Sequence, residues 1–165
     1  MYNKLWIVDA LRANFCQQSF PSATPEMLAA VESHAATTFP TLLRDHLLYF
    51  NGGFFGGSVE IDESVLNSKY DGRSLRIDDI FGVVDSEDLT HASILSNMEL
   101  REIYEHPKGV AYIPVAGLED SSMVVIDAEG PSIGLVRVLS NGDDVSFVVA
   151  RDYRLFLASL VPDRG

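Results

Sequence analysis

Four histidines, one cysteine and two adjacent aspartate pairs are the residues of this chain best suited to chemistry. His34, His46, His91 and His106 have the side chains of general bases or metal ligands, but they are widely spread and match no metal-ligand spacing. His34 and His46 fall on two consecutive predicted helices and could meet, as chance surface histidines also do. Paired carboxylates do acid–base work when they share a face. Asp78-Asp79 lies in an extended segment, where successive side chains point to opposite faces, so it makes a poor dyad. Asp143-Asp144 follows Asn141-Gly142 and belongs to a tight reversal. Cys16 has no local histidine partner and reads as a small buried hydrophobe. There is no serine elbow, Walker loop or dinucleotide glycine pattern. The expectation is a chain that is not an enzyme, with no metal and no cofactor.

Binding chemistry is better supplied. Asp and Glu total 24 against 12 Lys and Arg, a net charge of −12. Residues 61–120 carry 13 acidic and 5 basic groups, two-thirds of that excess. Lys and Arg form no stripe, so direct nucleic-acid binding is not expected. An acidic face would instead steer a basic partner by long-range attraction, although acidic loops that only keep a protein soluble give the same balance. The candidate partner-binding carboxylates are Asp62, Glu63, Asp71, Asp78, Asp79, Asp85, Glu87, Asp88, Glu99, Glu102 and Glu105. Carboxylates alone make a weak interface, and desolvated aromatics carry binding energy. Phe54, Phe55, Tyr70 and Tyr104 are therefore the candidate anchors beside them. The competing reading plugs Phe54 and Phe55 into the core.

The elements that must position these groups follow from periodicity. At 165 residues and 47% apolar composition, the chain has material for one cored domain. Leu5, Val8, Leu11 and Phe15 predict a helix over 3–15, broken by Gln17-Gln18-Ser19 and Pro21. Thr24 caps a second helix, with Pro25 at its first position and Glu26 in its first turn. Pro40 leads a third, buried through Leu43, Leu47 and Phe50. Asn51-Gly52-Gly53 stops it by tolerating the left-handed conformation. Phe54–Gly57 reads as a turn or bulge, Val59 and Ile61 alternate as a strand, and 63–76 reads as an irregular excursion. Leu75, Ile77 and Ile80–Val84 resume strand character. Ser86–Glu105 reads as a helix ended by Pro107 and Gly109. Strands are predicted at Val110–Val115, Ser122–Ile126, Ser132–Leu139 and Val145–Val149, and a closing helix runs from Tyr153 through Phe156, Leu157 and Leu160. The fold class is α+β: a mostly antiparallel central sheet flanked by N-terminal, middle and C-terminal helices.

One cysteine cannot form an internal disulfide, which favours a reducing, cytoplasmic location. The apolar run after Met1 is cut short at Asp9 and is no convincing signal peptide. No stretch approaches the ~20 apolar residues that cross a bilayer, so no membrane partner is expected. Trp6 and Phe15 could pack on the core or on a second copy, which leaves a homodimer open.

These pieces resemble the SMI1/KNR4, or SUKH, superfamily. The resemblance rests on a helix containing Glu32, Pro40 before Leu42-Leu43, and the run Leu47–Gly53 ending in aromatic-Asn-Gly-Gly. It continues in Tyr112-Ile113-Pro114-Val115-Ala116, Val124-Val125-Ile126-Asp127, Gly134-Leu135-Val136 and the closing segment Ala150–Leu157 with Phe156. Asp152-Tyr153 departs from the family's Ser-Phe at that last position, and the segment 86–106 is long. Glu32, Pro40, Asn51, Gly52, Gly53, Pro114, Asp127 and Phe156 are its signature residues, expected to be structural. The resemblance divides the chain into an N-terminal helical extension (1–23), the domain (24–161) and a short tail (162–165). It also implies a function: bacterial members are thought largely to be immunity proteins of polymorphic toxin systems. They neutralise a cognate toxin, often a basic nuclease, by direct binding. Eukaryotic relatives are regulatory interaction modules, so a cytosolic regulatory or scaffold protein is the alternative, and a small hydrolase a distant third.

Overall fold

The chain enters the described structure as a strand. The computed structural model describes residues 16–61, 75–84, 91–100, 111–140 and 146–162. Strand β1 (Cys16–Ser19) occupies the polar stretch expected to be only a helix break; the helix expected over 3–15 lies outside the described residues. There follow α1 (Pro25–His34), α2 (Thr41–Tyr49), β2 (Gly53–Ile61), β3 (Arg76–Ile80), α3 (Ile94–Leu100), β4 (Tyr112–Leu118), β5 (Met123–Asp127), β6 (Val136–Leu139), β7 (Ser146–Ala150), α4 (Tyr153–Ala158) and β8 (Leu160–Pro162).

The two best-specified helices start as their residues dictate. The Met27 amide donates to the Thr24 hydroxyl at 3.2 Å, satisfying an orphan donor of the first turn of α1. Asp152 does the same for α4 through the Leu155 amide at 2.8 Å, so the departure from Ser-Phe keeps the cap. Helix α2 ends differently from expectation. Its cap residue Phe50 is extended, Asn51 keeps a negative φ, and the left-handed position falls on Gly52 at φ 78°.

The eight strands of the described residues join one antiparallel sheet in the order β1-β2-β3-β4-β5-β6-β7, with β8 pairing β2. Strand β3 takes one edge of β2. The other edge is shared: β1 pairs Gly53–Phe55 and β8 pairs Val59–Ile61. Of the two readings of Phe54–Gly57, turn or bulge, the second holds: the segment lies within β2, and its register with β3 shifts between Phe54 and Val59. β4 carries Pro114 in a central strand, where a missing N–H is normally costly. The register shifts there, and the Val115 carbonyl accepts from the Phe81 amide at 2.9 Å.

Three other expectations shift. β3 stops at Ile80, and β6 begins at Val136 because Pro131–Gly134 are a turn. Of the helix predicted over Ser86–Glu105, the described part is α3 (Ile94–Leu100), and 86–90 and 101–105 lie outside the described residues. Residues 91–93 are not α-helical, and Ser93 forms a parallel bridge with Gly82.

The main core joins Leu28, Val31, Leu43, Leu47, Ile94 and Phe156 of the helices to Ile113, Val124, Ile126, Val136 and Val149 of the sheet. A second cluster, Tyr112, Val125 and Leu139, takes alternate positions on β4, β5 and β6, the opposite face. Among the described residues, no helix is long and apolar enough to cross a membrane.

Candidate functional site

Asn51 is a latch between three segments. Its Nδ2 donates to the Pro21 carbonyl at 2.8 Å and to the Val83 carbonyl at 2.6 Å, while its Oδ1 accepts from the Val83 amide at 2.8 Å. The side chain is 1% exposed, so these bonds replace all the water it gave up. Gly82 lies so close that a Cβ there would collide with the Asn51 carbonyl. The latch fixes the start of β2, and with it Phe54.

Phe54 stands in a row across the sheet. Its Cα partners are Gln18 on β1 and Asp79 on β3, and Asp79 is paired with Gly117 on β4. The Phe54 ring is half-buried, with Phe20 edge-on at 5.2 Å and the exposed His91 stacked at 5.2 Å. It is neither a core plug nor a free anchor, but the middle of an aromatic stack reaching from buried Phe20 to solvent.

Asp79 is the one buried carboxyl of the candidate set that the structure describes. At 8% exposure, burial pushes it up to about 6, the Asp78 charge adds to this, and a hydrogen bond from the Gly117 amide opposes it. Gly117 leaves the room: a Cβ there would collide with the Asp79 carboxylate. Two residues of β3, Asp78 and Asp79, stand against one of β4 at a register shift, and their exposure still alternates, Asp78 outward and Asp79 buried. Asp78 is exposed, and its carboxyl is raised by partial burial and by Glu119. Glu119 also meets Arg76 at 3.9 Å, an exposed pair of little energetic weight.

Of the other candidates, Phe55 is within β2 and Glu99 within α3, their side chains outside the description. Asp62, Glu63, Tyr70, Asp71, Asp85, Glu87, Asp88, Glu102, Tyr104 and Glu105 lie outside the described residues. The structure therefore brings together Phe54, Asp78 and Asp79. Among the described residues, no group of three or more His, Cys, Asp or Glu could hold a metal ion.

Residues 22–159 match the model of the SMI1 / KNR4 family (SUKH-1). The chain belongs to that family. No curated protein matches it.

The SUKH signature residues now have physical jobs. Glu32 accepts the Phe39 amide at 2.7 Å and pairs with Arg44, tying α1 to the first turn of α2. Asp127, fully buried, accepts from Arg137 Nε through both oxygens at 2.9 and 2.7 Å. Pro40 is the N-cap residue of α2, and Phe156 is fully buried in the core. Their partners Arg44, Arg137, Pro21 and Val83 escaped the sequence reading, since each is recognised only when distant segments meet.

Two more groups were missed. His46 and Tyr153 share a hydrogen bond of 2.8 Å between α2 and α4, and the His46 ring stacks on Phe50. Burial lowers His46 to about 3 and leaves its Nε2 without a partner. The pair is separated by 107 residues, so no local spacing announces it. The other is Ile133, 67% exposed on the turn between β5 and β6.

Proposed function

We propose that this SUKH protein is a cytoplasmic, non-catalytic binding protein of the immunity type, which neutralises a cognate toxin by direct contact. The observation that carries the reading is the family match over residues 22–159, set on a chain of net charge −12. An acidic body favours fast association with a basic effector. Exposed Asp78 and Glu119 face each other across β3 and β4, and Asp79, next to Asp78, is paired across the sheet with Phe54, whose ring stacks on exposed His91. They supply charge and a desolvating surface together. In this reading residues 24–161 form the binding domain, and the nuclease class is the best-matched target because its own substrate demands a cationic surface.

The test is co-expression with a toxin encoded beside this gene. Survival of the host and a stable complex on size exclusion support the reading. Undiminished toxicity with no complex removes it. Rescue lost at high salt would assign the recognition to charge.

A further inference from the structure

Helix α1 ends in an unusual way. The Thr37 amide donates to the Glu32 carbonyl at 3.0 Å and the Ala36 amide to Ser33 at 3.3 Å, the two bonds of a Schellman stop. The left-handed position of that motif normally takes glycine. Here it is alanine, Ala36 at φ 49°, a conformation that a β-carbon disfavours. A methyl group is kept where backbone conformation disfavours it.

Exposed Ala36 borders an open groove of about 540 Å³. One wall is Ala36, Thr37 and Thr38; the other is Ala128, Glu129 and Ile133 of the β5–β6 turn. Ile133 is the large apolar residue that the described surface leaves exposed, at 67%. It is held firmly. The turn is pinned by Ile133 to Gly130 at 3.3 Å, Gly134 to Asp127 at 2.7 Å and Leu135 to Ser132 at 3.0 Å. Asp127 is anchored in turn by Arg137. An apolar side chain on such a rigid turn is preorganised for contact and loses little entropy when covered.

The charge of the groove selects what covers it. Its ionisable lining residues are Glu32 and Glu129, both acidic. Glu32 is already met by Arg44, so the uncompensated field comes from exposed Glu129 and from the negative end of the α1 dipole.

We infer that the groove between the end of α1 and the β5–β6 turn docks a segment of a protein partner that places an apolar side chain beside a lysine or arginine. The apolar group covers Ile133 and Ala36, and the cation meets Glu129 and the last carbonyls of α1. This rests on the reading of the chain as a binding protein and names a second contact, apart from the Asp78 and Phe54 region.

The probe is a short capped peptide with adjacent leucine and arginine, titrated into the isotope-labelled protein and followed by amide chemical shifts. Saturable shifts centred on Ala36–Thr38 and Ala128–Ile133 are expected. Ile133→Asp should weaken binding about tenfold or more, as loss of a central apolar contact does. Glu129→Lys should abolish it and restore binding to a peptide with glutamate in place of arginine. No localised shifts at millimolar peptide, or equal binding to Ile133→Asp, would overturn the inference, as would indifference to peptide charge. The two readings fail separately. A toxin still neutralised by Ile133→Asp removes the groove and keeps the immunity function; a peptide bound in the groove with no toxin neutralised does the reverse.

Discussion

Asn51 holds the Val83 peptide group from both sides, accepting its N–H at 2.8 Å and donating to its carbonyl at 2.6 Å. Asn51 and Val83 thereby imitate a pair of strand residues, with a side chain standing in for one backbone.

Replacing that side chain should be severe. Asn51→Ala strands the Val83 amide and two carbonyls in a site with no room for solvent, and should cost about 3–5 kcal/mol. Asn51→Asp, which keeps the acceptor but loses both donors, should be nearly as damaging. Urea unfolding of both variants against the parent chain measures this; a change below about 1 kcal/mol would deny the latch its role.

Asp79 makes the fold prefer mild acid. Its carboxyl titrates near 6 in the folded protein and near 3.8 in the unfolded chain. Between those values the native state holds the extra proton, so this contribution is complete below the lower value and is lost as pH rises through 6. Asp79→Asn keeps an acceptor for the Gly117 amide without the charge. It should stabilise the protein at pH 7 by up to about 3 kcal/mol and leave pH 4 almost unchanged. Equal effects at both pH values would contradict the assignment.

His46 works in the opposite sense. Burial depresses it to about 3, against 6.5 when unfolded, so the unfolded state binds the proton first. Stability from this group is full above pH 6.5 and falls as pH drops toward 3. Removing both polar groups avoids an orphaned hydroxyl: His46→Leu with Tyr153→Phe should flatten the acid limb of the stability curve at modest cost near pH 7. The single change His46→Leu should cost more than the pair, by about 1 kcal/mol or more.

Ala36→Gly should raise stability by about 0.5–1 kcal/mol, because glycine adopts a φ of 49° without strain. The same variant should bind the leucine–arginine peptide more weakly, since it loses the methyl. Thermal unfolding and the shift titration read the two effects in one protein.

Two β-branched apolar runs were legible as strands: β5 was expected at Ser122–Ile126 and runs Met123–Asp127, and β7, at one edge of the sheet, was expected at Val145–Val149 and runs Ser146–Ala150. The strand at the opposite edge was not. β1 is four residues of mixed polarity, too short to show a period, and its strand state comes from pairing with β2. At Asp78-Asp79 the alternation was readable, one exposed and one buried, but the register shift beside them leaves no mark in composition. Glu32, Asn51 and Asp127 were recognisable as positions, but not as bonds. Each is a polar group whose partner belongs to another segment, so its role becomes visible only after the chain has closed.

The shared edge of β2 sets the order in which that closing can happen. One half of it is filled by β1, which precedes it in the chain; the other half waits for Leu160–Pro162, paired with Val59–Ile61. On a ribosome, therefore, β2 is made early and completed last. Until the final strand emerges, a short length of open backbone stays available for mispairing. The Gly56-Gly57 dipeptide beside it, poor in β propensity, limits how well another chain could copy that edge.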